Sequence, residues 1–186
     1  MKILHLDTSI NGEQSVSRRV AGRVVRSLQM ANPDAEVIYR DLAATPLPHL
    51  TLAEFGTDAS LATLAEFQTA DVVVIGTGMY NFTVPSQLKA WIDRILVAGQ
   101  TFRYTDSGPE GLAGGKRVIV ALARGGFYAE HTPSAGLEHA ETYLRGVFAF
   151  IGIGDVHVIS IDGLAMPESR DGAIAHAERQ VDEAVA

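Results

Sequence analysis

Apolar positions along the chain fall into two alternating kinds of run. Short ones, at Lys2–Leu6, Glu36–Arg40, Val72–Ile75, Lys116–Leu122 and Val156–Ile161, read as strands. Val72–Ile75 is β-branched and apolar throughout, as expected of a central strand covered on both faces. Between these runs the spacing widens to a helical period. Val16, Val20, Val24 and Leu28 share a stripe with Ala21 and Val25, while Arg18, Arg19, Arg23 and Arg26 take other directions. Asn32-Pro33 ends this helix. Leu88, Trp91, Ile92, Ile95 and Leu96 form a second helical face, opened near Pro85 and closed by Gly99. Further helices are predicted from about Leu52 to Thr69, near Leu137–Phe150, and over Asp171–Val185 with Ser169 or Asp171 as its cap. Gln100–Gly115, with Gly108, Pro109, Gly111, Gly114 and Gly115, reads as a long loop.

Strand and helix alternate along the whole chain. Strands joined through helices run parallel with right-handed crossovers, so helices cover both faces of one sheet. The fold class predicted is therefore α/β, a doubly wound five-stranded parallel sheet of order 2-1-3-4-5, with residues 1–186 as a single domain.

Composition narrows what such a domain can do. Hydrophobic residues make up 47% and charged residues 20%, which excludes a disordered chain. With 22 Asp and Glu against 15 Lys and Arg, the net charge of −7 argues against nucleic acid as a partner. The absence of Cys removes disulfides, thiolate metal sites and a Cys nucleophile together. No apolar run approaches the roughly 20 residues needed to cross a bilayer, and the N-terminus lacks a signal-peptide core, so a cytoplasmic protein without a membrane partner is expected. The histidines at 5, 49, 131, 139, 157 and 176 show no ligand spacing, and no metal site is expected. The phosphate loop of P-loop NTPases, the Gly-x-Gly-x-x-Gly fingerprint and the Gly-x-Ser-x-Gly elbow are all missing.

The remaining chemistry sits in loops after strands, where open α/β sheets bind ligands. After the first strand, Ser9 and the Ser15-Val16-Ser17 run precede a helix whose unpaired N–H groups suit a phosphate. Ser17 serves equally as a plain N-cap. After the third strand, Met79-Tyr80-Asn81-Phe82 offers two aromatics around an amide, suited either to a flat ring or to packing on the core. After the fourth, Arg124-Gly125-Gly126-Phe127-Tyr128 lets backbone approach a ligand closely or simply turns the chain.

Together with Ser86-Gln87-Leu88-Lys89, Thr101-Phe102-Arg103-Tyr104-Thr105, Gly108-Pro109-Glu110-Gly111-Leu112 and Phe150-Ile151-Gly152-Ile153, these segments resemble the FMN-dependent NADH azoreductases and quinone oxidoreductases of the flavodoxin-like fold. The likeness spans almost the whole chain, with His49–Thr69 shorter than in that family. It implies that Ser9, Ser15, Val16 and Ser17 hold the FMN phosphate. Met79, Tyr80, Asn81 and Phe82 would lie along the ring system, and Arg124, Gly125 and Gly126 approach its pyrimidine end. Asn81, Phe102, Tyr104, Phe127 and Tyr128 would then form the substrate pocket. It further implies NADH or NADPH as donor, a quinone or azo compound as acceptor, and a homodimer. Because donor and acceptor are both flat and must stack on the same exposed flavin face, a ping-pong cycle is expected.

Two other readings compete with an enzyme. An electron carrier of the same fold fits the acidic charge. However, the first loop lacks the Thr-x-Thr-Gly-x-Thr pattern of flavodoxins, and Met79–Val84 contains no glycine to flip toward a flavin. A phosphoacceptor receiver needs paired acids after the first strand, where only Asp7 stands.

Overall fold

The computed structural model describes residues 1–185. In chain order it contains β1 (Lys2–Asp7), α1 (Val16–Ala31), β2 (Glu36–Asp41), α2 (Asp58–Thr69), β3 (Val72–Gly78), α3 (Ser86–Ile95), β4 (Phe102–Thr105), β5 (Gly108–Gly111), β6 (Arg117–Ala123), α4 (Ala140–Phe150), β7 (Asp155–Ile161) and α5 (Pro167–Ala184). Five strands pair in parallel in the order β2-β1-β3-β6-β7. Counting only these strands, that is the predicted order 2-1-3-4-5.

Alternation along each strand divides the core into two layers. Ile3, Val72, Val74, Ile119, Ala121, Ile159 and Ile161 face α1 and α5. Leu4, Leu6, Val73, Ile75, Val118, Val120 and Leu122 face α2, α3 and α4, where Trp91, Phe67 and Phe148 are the largest buried side chains. The α1 stripe read from sequence is buried throughout. Arg40 and Glu66 pair on the surface, and Lys116 Nζ donates to the carbonyls of Gln68 and Ala70, tying α2 to the sheet edge.

Several predicted boundaries move, each for a local reason. The second helix starts at Asp58 rather than near Leu52, because Gly56 has φ +86° and Thr57 then caps the helix by accepting from Ser60 N–H. Gly99 does not close α3; that helix ends at Ile95, and Gly99 turns the chain three residues before Phe102. The fourth helix begins at Ala140, where Glu138 accepts N–H bonds from Ala140, Glu141 and Thr142. The last helix begins at Pro167, whose fixed φ suits a first turn, so neither Ser169 nor Asp171 is its cap. The Ser169 hydroxyl instead donates to the carbonyls of Gly163 and Met166.

The loop predicted over Gln100–Gly115 is largely a β-hairpin, β4 against β5, with Phe102 opposite Gly111. Its base is fixed where β6 and β7 begin. Ala113 N–H donates to the Ile151 carbonyl at 2.9 Å, and Phe102 packs on Phe150 with ring centroids 4.8 Å apart. Gly111 lies so close to Gly152 that any Cβ would overlap backbone. Gly111→Ala is therefore expected to cost about 3 kcal/mol by overpacking. Gly154→Ala, where a Cβ meets nothing within 4 Å, should be close to neutral. Urea denaturation of both variants checks the contrast.

Candidate functional site

The parallel strands deliver their following loops to one edge. At that edge lies a groove of about 230 Å³ lined by residues of three loops and the start of α5. From the first loop come Ser9, Asn11, Gln14, Ser15, Val16 and Ser17. From the second come Gly78, Met79 and Tyr80, and from the third Ala123, Arg124 and Gly125. Leu164, Ala165 and Arg170 complete it.

The first loop is held from two sides. Ser15, rather than Ser17, is the N-cap of α1 and accepts from Arg18 N–H. The Ser15 and Ser17 hydroxyls lie 3.0 Å apart, so two short polar groups meet at the helix start beside its unpaired amides. Arg18 grips both Asp41 oxygens at 2.6 and 2.8 Å and donates to the Ser9 carbonyl at 3.1 Å. The hydrogen bonds from Arg18, with N–H donors from Ala43 and Ala44, hold the Asp41 carboxyl below its usual value despite partial burial. Tyr39 donates its hydroxyl to Asp7 at 3.1 Å; burial and that carboxylate push its pKa up to about 12, so it remains a donor at neutral pH.

Tyr80 ties the second loop to the first. Its hydroxyl accepts from Ile10 N–H at 3.1 Å and lies 3.3 Å from Ser9 Oγ. The chain then reverses tightly, with mutual backbone bonds between Tyr80 and Thr83. Asn81 and Phe82 occupy that turn at φ +47° and +74°, exposed and outside the groove lining. A left-handed Phe is uncommon and costs on the order of 1–2 kcal/mol.

Arg124 plays a different part from the one its position suggests. Its guanidinium, 4% exposed, is surrounded by acids. Nη2 donates to Glu141 at 2.9 Å and Glu138 at 3.2 Å, and Nη1 to Asp162 at 3.2 Å and Ser160 at 3.1 Å. The cluster fastens the loop after β6 to the start of α4 and the end of β7. Only Nε is left, buried and without a hydrogen-bond partner. Arg170, which the sequence reading passed over, is exposed and lines the groove while donating to the Leu164 carbonyl at 3.0 Å.

Other expected positions divide. Gly125 lies on the groove, where a Cβ would touch only Ala165 at 3.4 Å. Gly126 does not line it; a Cβ there faces the Tyr128 ring. Phe127 stacks against Gly163 rather than into the groove. Phe102 and Tyr104 are not brought to the groove at all, because the hairpin base sits at the opposite edge of the sheet, where β6 and β7 begin. Asn11, Gln14, Leu164 and Ala165 are lining residues that no motif signalled.

A family model described as the flavodoxin-like fold matches residues 1–185. The chain belongs to this family. It is 56% identical to FMN-dependent NADH:quinone oxidoreductase 2 of Bradyrhizobium diazoefficiens, over 95% of each chain. The FMN-dependent NADH:quinone oxidoreductase of Rhizobium meliloti is 52% identical, covering 98% of this chain and 96% of that one. Among solved structures, an FMN-dependent NADH-azoreductase of Bacillus anthracis in complex with FMN superposes with a TM-score of 0.87 at 26% identity, covering 100% of this chain and 98% of that one.

The acids around Arg124 give the site a pH signature. Burial pushes Asp162 up, and the neighbouring Glu141 and Glu138 outweigh enough of the Arg124 attraction to keep it above its usual value. Burial also acts on Glu138, but N–H donors from Glu141 and Thr142, with Arg124, hold it low. A raised carboxyl stabilises below its unfolded pKa and loses that contribution as pH rises through the folded one; a lowered carboxyl does the reverse. Arg124→Met strands these acids without a cation and is expected to cost about 3–5 kcal/mol near neutral pH. The deficit should shrink below about pH 5, where the carboxyls take up protons. Denaturation midpoints at the two pH values check this.

Proposed function

We propose that this protein is an FMN-dependent NADH:quinone oxidoreductase that also reduces azo compounds, with NADH or NADPH as donor. The observation that carries this reading is the groove itself, a phosphate-suited helix start continuous with an apolar slot between the loops after β3 and β6. The relatives bearing that activity in their names cover nearly the whole chain.

The residues fit a flat ring carrying a phosphate. The Ser15 and Ser17 hydroxyls and the α1 amides bind the phosphate, and Ser9 completes the cradle. Arg170, exposed on the same groove, adds positive charge beside it. Val16 closes the apolar side, while Met79 and Tyr80 line the slot. Gly125 leaves room for close backbone approach. FMN, when bound, supplies two-electron transfer between the donor and the acceptor. The protein needs no nucleophile of its own; its loops orient the donor and acceptor and exclude water from one ring face. Because both reactants are flat and share the open side, they bind in turn, which makes the cycle ping-pong.

Asn81 and Phe82 follow the lining residue Tyr80 along the chain, and Phe127 and Tyr128 follow the lining residue Gly125, but none of the four lines the groove itself. Phe102 and Tyr104, absent from their own chain's groove, reach a groove only as part of a homodimer. Tyr104 is 75% exposed at the hairpin, ready for such a contact.

Purified protein should release FMN rather than FAD on chromatography, and initial rates against NADH at several quinone concentrations should give parallel lines. Intersecting lines would replace the ping-pong cycle with a ternary complex; bound FMN without quinone-dependent NADH oxidation would favour the electron carrier. Gly125→Val should lower FMN affinity at least tenfold, whereas Ser17→Ala should cost about 1 kcal/mol for one lost hydrogen bond. Titration of FMN fluorescence measures both. Sedimentation equilibrium should show a dimer of the 19.9 kDa chain.

A further inference from the structure

The chain has three asparagines, each followed by a different kind of residue. Asn32 precedes Pro33, whose nitrogen carries no proton, and Asn81 precedes the bulky Phe82. Asn11 precedes Gly12. The side-chain amide of an asparagine is open to attack by the backbone nitrogen of the next residue. Glycine, which has no Cβ, hinders that attack least.

Asn11 and Gly12 lie between Ser9 and the Ser15 cap, and Asn11 lines the groove. Asn11 is exposed, and among the described residues neither its side chain nor the Gly12 N–H makes a hydrogen bond. Gly12 has φ +52°, and a Cβ there would meet nothing within 4 Å. One 3₁₀ turn holds the segment, with Gln14 N–H donating to the Asn11 carbonyl and Ser15 N–H to the Gly12 carbonyl, both at 3.1 Å. Asn11 N–H adds a bond to Ser9 Oγ at 3.3 Å. With Asn11 at ψ 2°, the Gly12 nitrogen is eclipsed with the Asn11 nitrogen rather than with its Cβ. Attack therefore waits for this turn to open, and exposed loop turns open at low free-energy cost.

We propose that Asn11 is a self-modification site, which deamidates while the groove is empty and is protected when the cofactor is bound. The protection rests on the reading of the groove as an FMN site. The Gly12 nitrogen bonds to Asn11 Cγ and gives up its proton, the side-chain amide leaves as ammonia, and a five-membered imide closes. Water then opens the ring at either carbonyl, leaving aspartate or an isoaspartate whose backbone runs through the side chain. One water is consumed and one ammonia released, with no oxidant or reductant. Either product puts a carboxylate on the groove that carries the Ser15 and Ser17 hydroxyls, where it repels a phosphate. Isoaspartate also lengthens the backbone between Ser9 and Ser15. A bound phosphate favours the closed loop, so opening costs the binding free energy as well. Chains without cofactor thus age into chains that reload it poorly.

The full chain, freed of flavin or saturated with FMN, is held at mildly alkaline pH and sampled over days. Peptide mass spectrometry follows conversion at Asn11 and Asn81, and isoaspartyl methyltransferase labels the rerouted backbone. Without flavin, Asn11 should convert at least tenfold faster than Asn81, and saturating FMN should slow it at least tenfold. Gly12→Ala should slow it at least fivefold. By FMN fluorescence, the converted chain and Asn11→Asp should both bind at least fivefold more weakly than the fresh chain. Conversion at Asn11 no faster than at Asn81 would overturn the proposal. Equal conversion with and without FMN, in a chain that binds FMN when fresh, would overturn it too, as would undiminished affinity in both the converted chain and Asn11→Asp. A fresh chain that takes up no FMN would overturn the cofactor reading and the protection with it, while the masses would still report the conversion of Asn11 itself.

Discussion

The structure depends on a sheet whose central strands are covered on both faces and therefore run parallel. A parallel pair cannot be closed by a tight turn, so each strand must be followed by a helix that returns the chain across a face. Every strand then ends at the same edge. Asp7, Gly76 and Ala121 stand in register across β1, β3 and β6, and the chain leaves the sheet within a few residues of each. Three loops distant in sequence thus become neighbours, and the groove is the space they leave. The unpaired amides of α1 come to that edge for the same reason, since the helix begins where β1 has ended.

Holding those loops in place falls to buried charge rather than to further hydrophobic contact. The first loop is gripped by Arg18 through the Ser9 carbonyl and Asp41, and is joined to the second by the Tyr80 hydroxyl. The third is gripped by Arg124 through acids from α4 and from the end of β7. A desolvated guanidinium is costly unless it is paired, and in each cluster both terminal nitrogens are hydrogen-bonded. The two clusters flank the groove, where Arg124 and Arg170 are the charged residues of the lining.

Much of this was legible along the chain because periodicity reports burial directly. The stripe Val16-Val20-Val24-Leu28 and the run Val72–Ile75 carry their own environment, and five such alternations leave few topologies. The loops after the strands were found for the same reason: once the strand ends are known, so is the binding edge. Where local chemistry competes, the reading slipped. Gly-Pro-Glu-Gly at 108–111 carries no strand pattern, yet pairs with Phe102–Thr105 because both halves of the hairpin are pinned near Gly152. Ser15 and Ser17 are equally good caps in isolation, and only the direction of the incoming chain decides for Ser15.

What the sequence alone determined, then, is the alternation of elements, the strand order and the three loops that meet, since each follows from spacing and from the rule that apolar faces are buried. What tertiary structure decided is the use of each charged or aromatic residue within them. Arg124 follows a strand like a ligand residue but is enclosed by Glu138, Glu141 and Asp162, none of them its neighbour in sequence. Phe102 and Tyr104 carry a family-like motif but stand at the far edge of the sheet. Such roles depend on which distant groups share a small desolvated volume, and no local pattern records that.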